Sequence, residues 1–529
     1  MAAREFELVV AGGRVCEGTG LPLFDADVGI REGRIAAIGD VGDVRAKRRI
    51  DARGRVVAPG FIDIHSHSDE AVLVNPRLES TLRQGVTTVV AGNCGSSSAP
   101  AVGLAAEEVE RRLARFDAER TWTSFGEYLE TIASRGTALN FCSLVGHGRL
   151  RQAVMGGEQR APTSGELAAM KAVLATCLEE GAVGLATGLI YPPSAYADTD
   201  ELVAVCEVVA RLDALYASHI RNEGVRLFEA VEEGIAIGRR AGVRVELSHH
   251  KAAGQKNWGK VKRSLALVAE ARARGIDVAA DQYPYTASST GLGVVIPDWV
   301  HSGGSAALVE RLRDPDVRRR IALEPTETER RWEAIVVSRA RRQPELEGRT
   351  VAAIAAERRL EPLVAACELL VEEDGYVGIV NHSMREEDVQ EVMSAPFVCV
   401  GSDSSAAAPY GPLSGGKPHP RAYGTFPRVL GRYVRDLDVL TLEEAVRKMT
   451  SLTASRLKLR DRGRVAEGYW ADLVVFDPLR VADAATFEDP HRYPLGIETV
   501  IVNGTVQLHE GEVEPELHGR VLRLGVDLG

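Results

Sequence analysis

Two histidines in the motif GFIDIHSHSDE are candidates to bind a single metal ion. His65 and His67 lie two residues apart at the end of an apolar stretch that is typical of a β-strand. Because residues two apart in a strand point to the same face, we expect both imidazoles to face one site. A lone histidine is more often structural, but a pair at this spacing, at the carboxyl end of a strand, favours metal binding.

Further candidate ligands occur at the ends of other apolar segments. The residues at the ends of these segments are Cys94, His219, His249, His250 and Asp403. Cys94 alone would be expected to fill space in the core as a small apolar side chain. Together, however, imidazole nitrogens and a thiolate are the ligands that zinc prefers in proteins. The sequence therefore predicts a zinc centre where these strand ends meet.

The middle of the chain alternates between strand and helix patterns. The strand candidates are 56–65, 85–94, 139–148, 182–189, 215–220, 244–250, 277–285, 377–383 and 397–405. Helical patterns such as GELAAMKAVLATCLEEG lie between several of them. Repeated strand–helix units indicate an α/β fold, and this many predict a (β/α)₈ TIM-like barrel, in which one of the nine candidates is surplus. Barrel active sites lie at the carboxyl ends of the strands, where the candidate ligands occur.

The two ends of the chain differ from this middle. Residues 1–55 and 460–529 read as short strands, with hairpins expected around Gly12-Gly13, Glu32-Gly33 and Asn503-Gly504. We therefore predict one small β-sandwich or barrel domain formed from both termini, beside a catalytic barrel at 56–459.

A stretch at about 286–350 breaks the alternation and carries dense mixed charge. It is either a solvated helical excursion or an insertion that covers the barrel mouth as a lid. Because it directly follows a strand end that carries candidate site residues, we favour the lid.

Composition excludes several classes of protein. The 529 residues carry a net charge of −11 with no long basic run, which argues against a nucleic-acid partner. We find no apolar run of about 18 residues and no signal-peptide pattern, so we expect a cytoplasmic protein with no membrane partner. The seven scattered cysteines do not resemble a disulfide framework. A small-molecule substrate is the expected partner, and homo-oligomerisation stays open.

Many short motifs resemble those of one enzyme family. PGFIDIHSHSD, AGNCG, GLIYPP, SHIRNE, SHHK, DQYPYTASSTG, GSDSS and HPRAYGTFPRVLGRYVR are similar to motifs of the D-aminoacylase, or N-acyl-D-amino-acid deacylase, family of the amidohydrolase superfamily. The C-terminal segments EEAVRKMTSLTASRLKLRDRG and ADLVVFDP also match its pattern, so the resemblance covers nearly the whole chain. It implies zinc-dependent hydrolysis of the amide bond of N-acyl-D-amino acids to a D-amino acid and a carboxylate.

The resemblance also assigns metal ligands. It implies that Cys94, His219 and His249 hold one tight zinc ion, while His65 and His67 flank a second, weaker site. Zinc at such a site polarises the amide carbonyl and lowers the pKa of a bound water.

Other residues take catalytic and substrate-binding roles in this comparison. Asp403 would accept the proton of the attacking water and pass it to the leaving amine. Lys251, Tyr283 and Arg421 match positions that bind the substrate α-carboxylate, whereas His250 is expected to be structural. The segment 289–299, STGLGVVIPDW, contains no cation, which favours a neutral or apolar substrate side chain.

Two alternative functions are less well supported by the residues. Hydantoinases and dihydropyrimidinases, which hydrolyse cyclic amides, share the architecture but use a carboxylated lysine from the fourth strand. The candidate fourth strand at 182–189 has no lysine, and the nearest is Lys171 in a helical segment. A non-catalytic scaffold would be expected to have lost metal ligands, and none of the candidates is missing here.

Overall fold

The computed structural model describes residues 5–42, 44–324 and 330–529. Its centre consists of short parallel strands, which we number one to eight along the chain. In the described residues they are Phe61–Asp63, Val86–Ala91, Asn140–Ser143 continued by Val145–Gly146, Gly184–Gly188, Leu215–His219, Arg244–Leu247, Val278–Gln282 and Val398–Val400. Strands one to three form one parallel sheet, and strands three to eight form another. An isolated parallel bridge also pairs Ser66 with Ser404, just beyond strands one and eight.

Helices connect the central strands and pack beside them. The longer ones are Leu104–Leu113, Phe125–Arg135, His147–Met155, Ser164–Glu179, Thr199–Arg211, Leu227–Ala241, Val261–Ala273 and Glu386–Ser394. Shorter helical segments are Ala71–Val74, Glu79–Leu82, Arg421–Arg428, Val429–Asp436, Leu442–Met449 and Ser451–Leu457. The predicted helix in GELAAMKAVLATCLEEG is confirmed. It starts with a capping box in which Thr163 and Glu166 satisfy each other's backbone N–H groups.

Both termini build one nine-stranded sheet. Its strands are Phe6–Val15, Phe24–Arg31, Arg34–Gly39, Ala46–Asp51, Val56–Pro59, Leu473–Phe476, Ile497–Val502, Thr505–His509 and Glu512–Val513. The hairpin at Glu32-Gly33 is confirmed, but the one at Gly12-Gly13 is wrong. That segment is one continuous strand with a bulge between Val10 and Gly13, because a neighbouring antiparallel strand pairs with it on both sides of the glycines.

The candidate strand 56–65 divides between two sheets. Val56–Pro59 joins the terminal sheet, whereas Phe61–Asp63 is central strand one. Gly60 lies between them against Thr87, where a Cβ would approach the Thr87 side chain to 2.1 Å. The chain can therefore pass from one sheet to the other only because this residue has no side chain.

The region after strand seven forms a separate body. Ser288–Gly291, Gly378–Asn381 and Ile335–Arg339 form a small antiparallel sheet in that spatial order. The helices Ser305–Arg313, Pro315–Leu323, Val351–Arg358 and Pro362–Glu372 pack with it around an apolar core of their own. The candidate strand at 377–383 is therefore the surplus one. In the described residues, no helix is both long and apolar enough to cross a membrane.

Candidate metal centre

His65 and His67 lie in a turn, not in a strand. Strand one ends at Asp63, so the strand alternation that we used to predict their common direction does not apply. Their rings nevertheless lie 5.4 Å apart, and both have a ring nitrogen close to one oxygen of Asp403, at 3.4 Å from His65 and 3.0 Å from His67. The backbone N–H of His65 donates to the Asp63 carboxylate, which helps to fix the turn.

Three of the predicted site residues have left-handed backbones. Cys94, His249 and Asp403 have φ angles of 52°, 38° and 49°, and each follows the end of a central strand by two or three residues. Left-handed φ is unfavourable for residues with a side chain, and such strain persists only where the surroundings impose it. Here it turns three functional side chains back over the ends of the strands.

Cys94 is the centre of the predicted ligand set. Its Sγ lies 3.7 Å from Nδ1 of His219, 3.5 Å from Nε2 of His249 and 3.3 Å from Nε2 of His65. Zinc bonds of about 2.3 Å to sulfur and about 2.0 Å to nitrogen, at tetrahedral angles, place the two ligand atoms about 3.5 Å apart. The separations of the Cys94 sulfur from the ring nitrogens of His219 and His249 therefore match those expected for ligands of one zinc ion.

A second group shares Cys94 with the first. It consists of His65, His67, Cys94 and Asp403, with one ligand atom from each lying within 4.8 Å of all the others. The structure thus brings together all five predicted metal ligands and the predicted proton-transfer residue, in two sets joined by one thiol.

Electrostatics keep both acidic groups of this centre ionised. Burial raises the pKa of the Cys94 thiol, but His65 and His249 outweigh burial and hold that pKa well below its ordinary value. Burial likewise opposes ionisation of Asp403, yet the nearby cation of Arg421, followed by His249, brings the pKa of this carboxyl well below its usual range. A thiolate is the form that binds zinc, and a carboxylate is the form that accepts a proton.

Two carboxylates that we did not predict orient the histidines. Glu223 Oε1 accepts from Nδ1 of His249 at 2.9 Å and from Nζ of Lys251 at 2.5 Å. Asp281 lies 3.1 Å from Nδ1 of His65 and also accepts the backbone N–H of His249 at 2.8 Å. Such partners fix the ring orientation of metal-binding histidines. Glu223 lies in the motif SHIRNE and Asp281 in the motif DQYPY. Membership of these motifs was the only indication of their role in the sequence.

The three predicted carboxylate-binding residues meet on one side of Asp403. Arg421 places Nη1 2.8 Å from Asp403 Oδ2, outside hydrogen-bonding geometry, and its guanidinium lies 4.4 Å from the ring centre of Tyr283. The buried Tyr283 hydroxyl has no hydrogen-bond partner in the part of the chain that is described. Lys251 differs, since it donates a hydrogen bond to Glu223. Arg421 pairs with Asp403, but its Nε and Nη1 make no hydrogen bond to a described residue, so Arg421 and Tyr283 hold the free donors of this group.

A cavity of about 1220 Å³ opens above these residues. One side is formed by the strand ends, including Cys94 and Arg421, and the other by the segment 288–298 and Tyr376 of the separate body. The Tyr191 hydroxyl bonds to Thr290 across the cavity at 2.9 Å. The volume suits a small organic molecule.

Two further residues lie away from the centre. His250 directs Nε2 to the hydroxyl of Ser264 at 2.8 Å, which agrees with a structural role. Lys171 forms an ion pair with Glu207 at 3.2 Å, with a partly exposed side chain. Strand four, Gly184–Gly188, brings no lysine to the metal groups.

Comparisons with known proteins agree with this site. The family model described as "Amidohydrolase family" matches residues 48–507. D-aminoacylase of Alcaligenes xylosoxydans xylosoxydans is 40% identical, with 98% of each chain covered. N-acyl-D-glutamate deacylase of the same organism is 40% identical, covering 98% of this chain and 97% of the relative. The crystal structure of N-acyl-D-glutamate deacylase from Bordetella bronchiseptica, complexed with zinc and a phosphonate inhibitor, has a TM-score of 0.85 at 37% identity and covers 98% of this chain and 100% of its own. The chain therefore belongs to the amidohydrolase family, in the group that contains D-aminoacylase and the N-acyl-D-amino-acid deacylases.

Proposed function

We propose that this protein is a zinc-dependent hydrolase that cleaves the amide bond of N-acyl-D-amino acids to a D-amino acid and a carboxylate. The observation that carries the proposal is the Cys94 thiol, which faces the ring nitrogens of His219 and His249 at zinc-compatible separations beside the ionised Asp403. The full-length similarity to D-aminoacylase supports the same reaction.

Cys94, His219 and His249 would hold one tight zinc ion. His65 and His67 would hold a second ion more weakly, together with Asp403 and with Cys94, which is shared with the first ion. The tight set is entirely buried, whereas His67 is partly exposed, which is consistent with a weaker second site. Zinc, when bound, supplies Lewis-acid polarisation of the amide carbonyl and lowers the pKa of the attacking water.

Asp403 would move the proton. Its carboxylate is ionised and lies beside the ligands, so it accepts the proton of the attacking water and then delivers that proton to the leaving amine nitrogen. Arg421 restrains one carboxylate oxygen at 2.8 Å, which leaves the other oxygen toward the metal groups.

The substrate α-carboxylate would bind to the free donors of Arg421 and Tyr283. Lys251 contributes positive charge to the same region while it orients Glu223. The segment 289–299 lines the cavity with small polar and aliphatic side chains and the acidic Asp298, and it contains no cation, so we favour neutral or apolar substrate side chains. Selectivity for the D enantiomer is supported by the relatives.

We infer that the eight central strands close into a (β/α)₈ barrel. The bridge between Ser66 and Ser404 joins strands one and eight, which would complete the ring. In this arrangement the predicted boundary at 56 moves to Phe61, because Val56–Pro59 joins the terminal sheet. Residues 61–459 would then form the catalytic barrel, 1–59 with 460–529 a terminal β domain, and the insertion that begins near 286 a lid. A cytoplasmic location and homo-oligomerisation stay predictions from the sequence.

A substrate panel tests the proposal. The zinc-loaded protein is assayed with matched N-acetyl-D- and N-acetyl-L-amino acids and with a hydantoin. We expect turnover of the D compounds, weak or no turnover of their L counterparts, and no ring opening. Efficient hydantoin hydrolysis would favour a cyclic-amide hydrolase instead, and no turnover of any compound would favour a non-catalytic scaffold.

A further inference from the structure

One wall of the cavity carries an arginine cluster that the proposed reaction does not use. We define the cluster as Arg112, Arg115 and Arg149, all of which line the cavity. The first two belong to the helix Leu104–Leu113 and the turn that follows it, and Arg149 belongs to the helix after strand three.

Three carboxylates, Glu70, Glu108 and Asp69, lie near the three arginines, but among the described residues only Arg112 forms a direct ion pair with one of them. Arg112 pairs with Glu70 at 2.8 Å. Arg115 forms no ion pair with any described residue, and its guanidinium stacks 3.8 Å from the ring centre of Tyr376. The only other carboxylate on this wall, among the described residues that line the cavity near the cluster, is Glu108, which accepts from the backbone N–H and the hydroxyl of Ser305.

Arg149 is buried without a carboxylate partner in the described residues. It donates to the backbone oxygen of Ser97 at 2.7 Å, to Gln152 Oε1 at 2.6 Å and to Ser96 Oγ at 3.4 Å. Burial, followed by the neighbouring Arg112, lowers the pKa of this guanidinium to about 10, so the group stays charged at neutral pH. Glu70, Glu108 and Asp69 favour its charge only from a distance, so an anionic ligand in direct contact would stabilise this buried cation further.

The cluster and the α-carboxylate group line the same cavity but belong to different parts of the central fold. Arg112 and Arg149 follow strands two and three and meet at Ser96, two residues after Cys94. Of the α-carboxylate donors, Tyr283 directly follows strand seven, and Arg421 begins the helix Arg421–Arg428 after strand eight. An amide substrate bound at Cys94 has its amine half toward those donors, so its acyl half extends toward the cluster.

We propose that the arginine cluster is a second anion subsite, which binds a carboxylate at the far end of the acyl group. This inference rests on the proposed function and narrows its substrate class to N-acyl-D-amino acids whose acyl group comes from a dicarboxylic acid. Arg115 is the principal donor, because Tyr376 holds its guanidinium flat and leaves its N–H groups free.

Matched acyl groups test the subsite. The kcat/KM of the zinc-loaded enzyme is measured with N-glutaryl-D-leucine and N-pentanoyl-D-leucine, which have equal chain lengths and differ by one carboxylate. N-succinyl-D-leucine and N-butyryl-D-leucine form a shorter pair. For at least one pair we expect about a tenfold or greater preference for the anionic compound, as charged hydrogen bonds provide. Equal or lower kcat/KM for both anionic compounds would overturn the proposal, whatever any variant does.

Variants connect the preference to Arg115. Arg115→Met should abolish it while changing the kcat/KM for N-acetyl-D-leucine less than twofold, and the latter also reports correct folding. Arg111→Met is the matched control, because Arg111 lies in the helix Leu104–Leu113, one turn before Arg115, but does not line the cavity. A preference that survives Arg115→Met, or is lost equally in Arg111→Met, would contradict the assignment.

A further pair separates the acyl group from the side chain. If N-acetyl-D-glutamate is preferred over N-acetyl-D-glutamine and Arg115→Met removes that preference, the cluster binds the side chain and the acyl assignment is wrong. We expect no such dependence on Arg115. Failure to hydrolyse N-acetyl-D-leucine would refute the proposed function itself, whereas hydrolysis without a preference for anionic acyl groups would refute only the subsite.

Discussion

Arg421 should discriminate substrates by their α-carboxylate. Its guanidinium is buried, is held over the ring of Tyr283 and has two nitrogens without hydrogen-bond partners among the described residues. A hydrogen bond to a charged group contributes about 1.5–3 kcal/mol, which corresponds to about a 10-fold to 150-fold effect on kcat/KM. Arg421→Met should therefore lower kcat/KM for N-acetyl-D-leucine by about this factor, mainly through a higher KM.

A cycle of enzyme and substrate changes isolates this contact. Wild-type enzyme should lose a similar factor with N-acetyl-D-leucinamide, which lacks the carboxylate. Arg421→Met should hydrolyse the acid and the amide with similar kcat/KM, since the contact is absent in both cases. If the variant still prefers the acid as strongly as wild type does, Arg421 does not bind the carboxylate.

Arg421→Met should also change the dependence of kcat on pH. Burial raises the pKa of Asp403, and Arg421 is the strongest of the groups that lower it. Without this cation the pKa of Asp403 rises, so the acid limb of the kcat profile should move to higher pH. Because the depressed pKa stabilises the folded state above the unfolded value of about 3.9, the variant should also be less stable at neutral pH. Arg421→Lys, which keeps the charge, should shift the limb less.

Two substitutions and one hydrogen-exchange measurement test the remaining parts of the site. Asp403→Asn should keep metal content near normal and nearly abolish turnover; activity within a few-fold of wild type would remove Asp403 from proton transfer. Cys94→Ala should lose zinc and activity together, whereas a space-filling cysteine would cost about 1 kcal/mol of stability and leave zinc content unchanged. The segment 286–350 should become more protected in hydrogen exchange when a slow substrate analogue binds, and equal protection in both states would contradict the lid.

The sequence singled out the candidate metal ligands that the structure brings together, because their types and positions carry the signal. His65, His67, Cys94, His219 and His249 all follow apolar segments that become parallel strands, and the fold brings the ends of such strands together. His65 and His67 were predicted to face one site because alternate residues of a strand share a face. Their rings do lie close together, but strand one ends at Asp63, so a turn and not strand alternation brings them together.

Glu223 and Asp281 could not be identified in the same way. Carboxylates are common in any sequence. The role of Glu223 arises from its contact with His249, and that of Asp281 from its contact with His65, which is distant along the chain. The left-handed backbone of Cys94 was equally hidden, because tertiary contacts and not local preference impose it.

The separate body was the least predictable part of the fold. Ser288–Gly291 has the sequence SSTG, which lacks the β-branched and aromatic residues that mark most strands, and it forms a strand by pairing with Gly378–Asn381. Gly378–Asn381 resembles a barrel strand in sequence because it is apolar. In the structure, however, it packs on the apolar core of the separate body.

Titration of metal-free enzyme with zinc, followed by the rate of N-acetyl-D-leucine hydrolysis, tests the central claim most directly. The account predicts negligible activity without metal and a linear rise that reaches its maximum near one equivalent of zinc per chain, set by Cys94, His219 and His249. Full activity in protein shown by elemental analysis to contain no transition metal would contradict it.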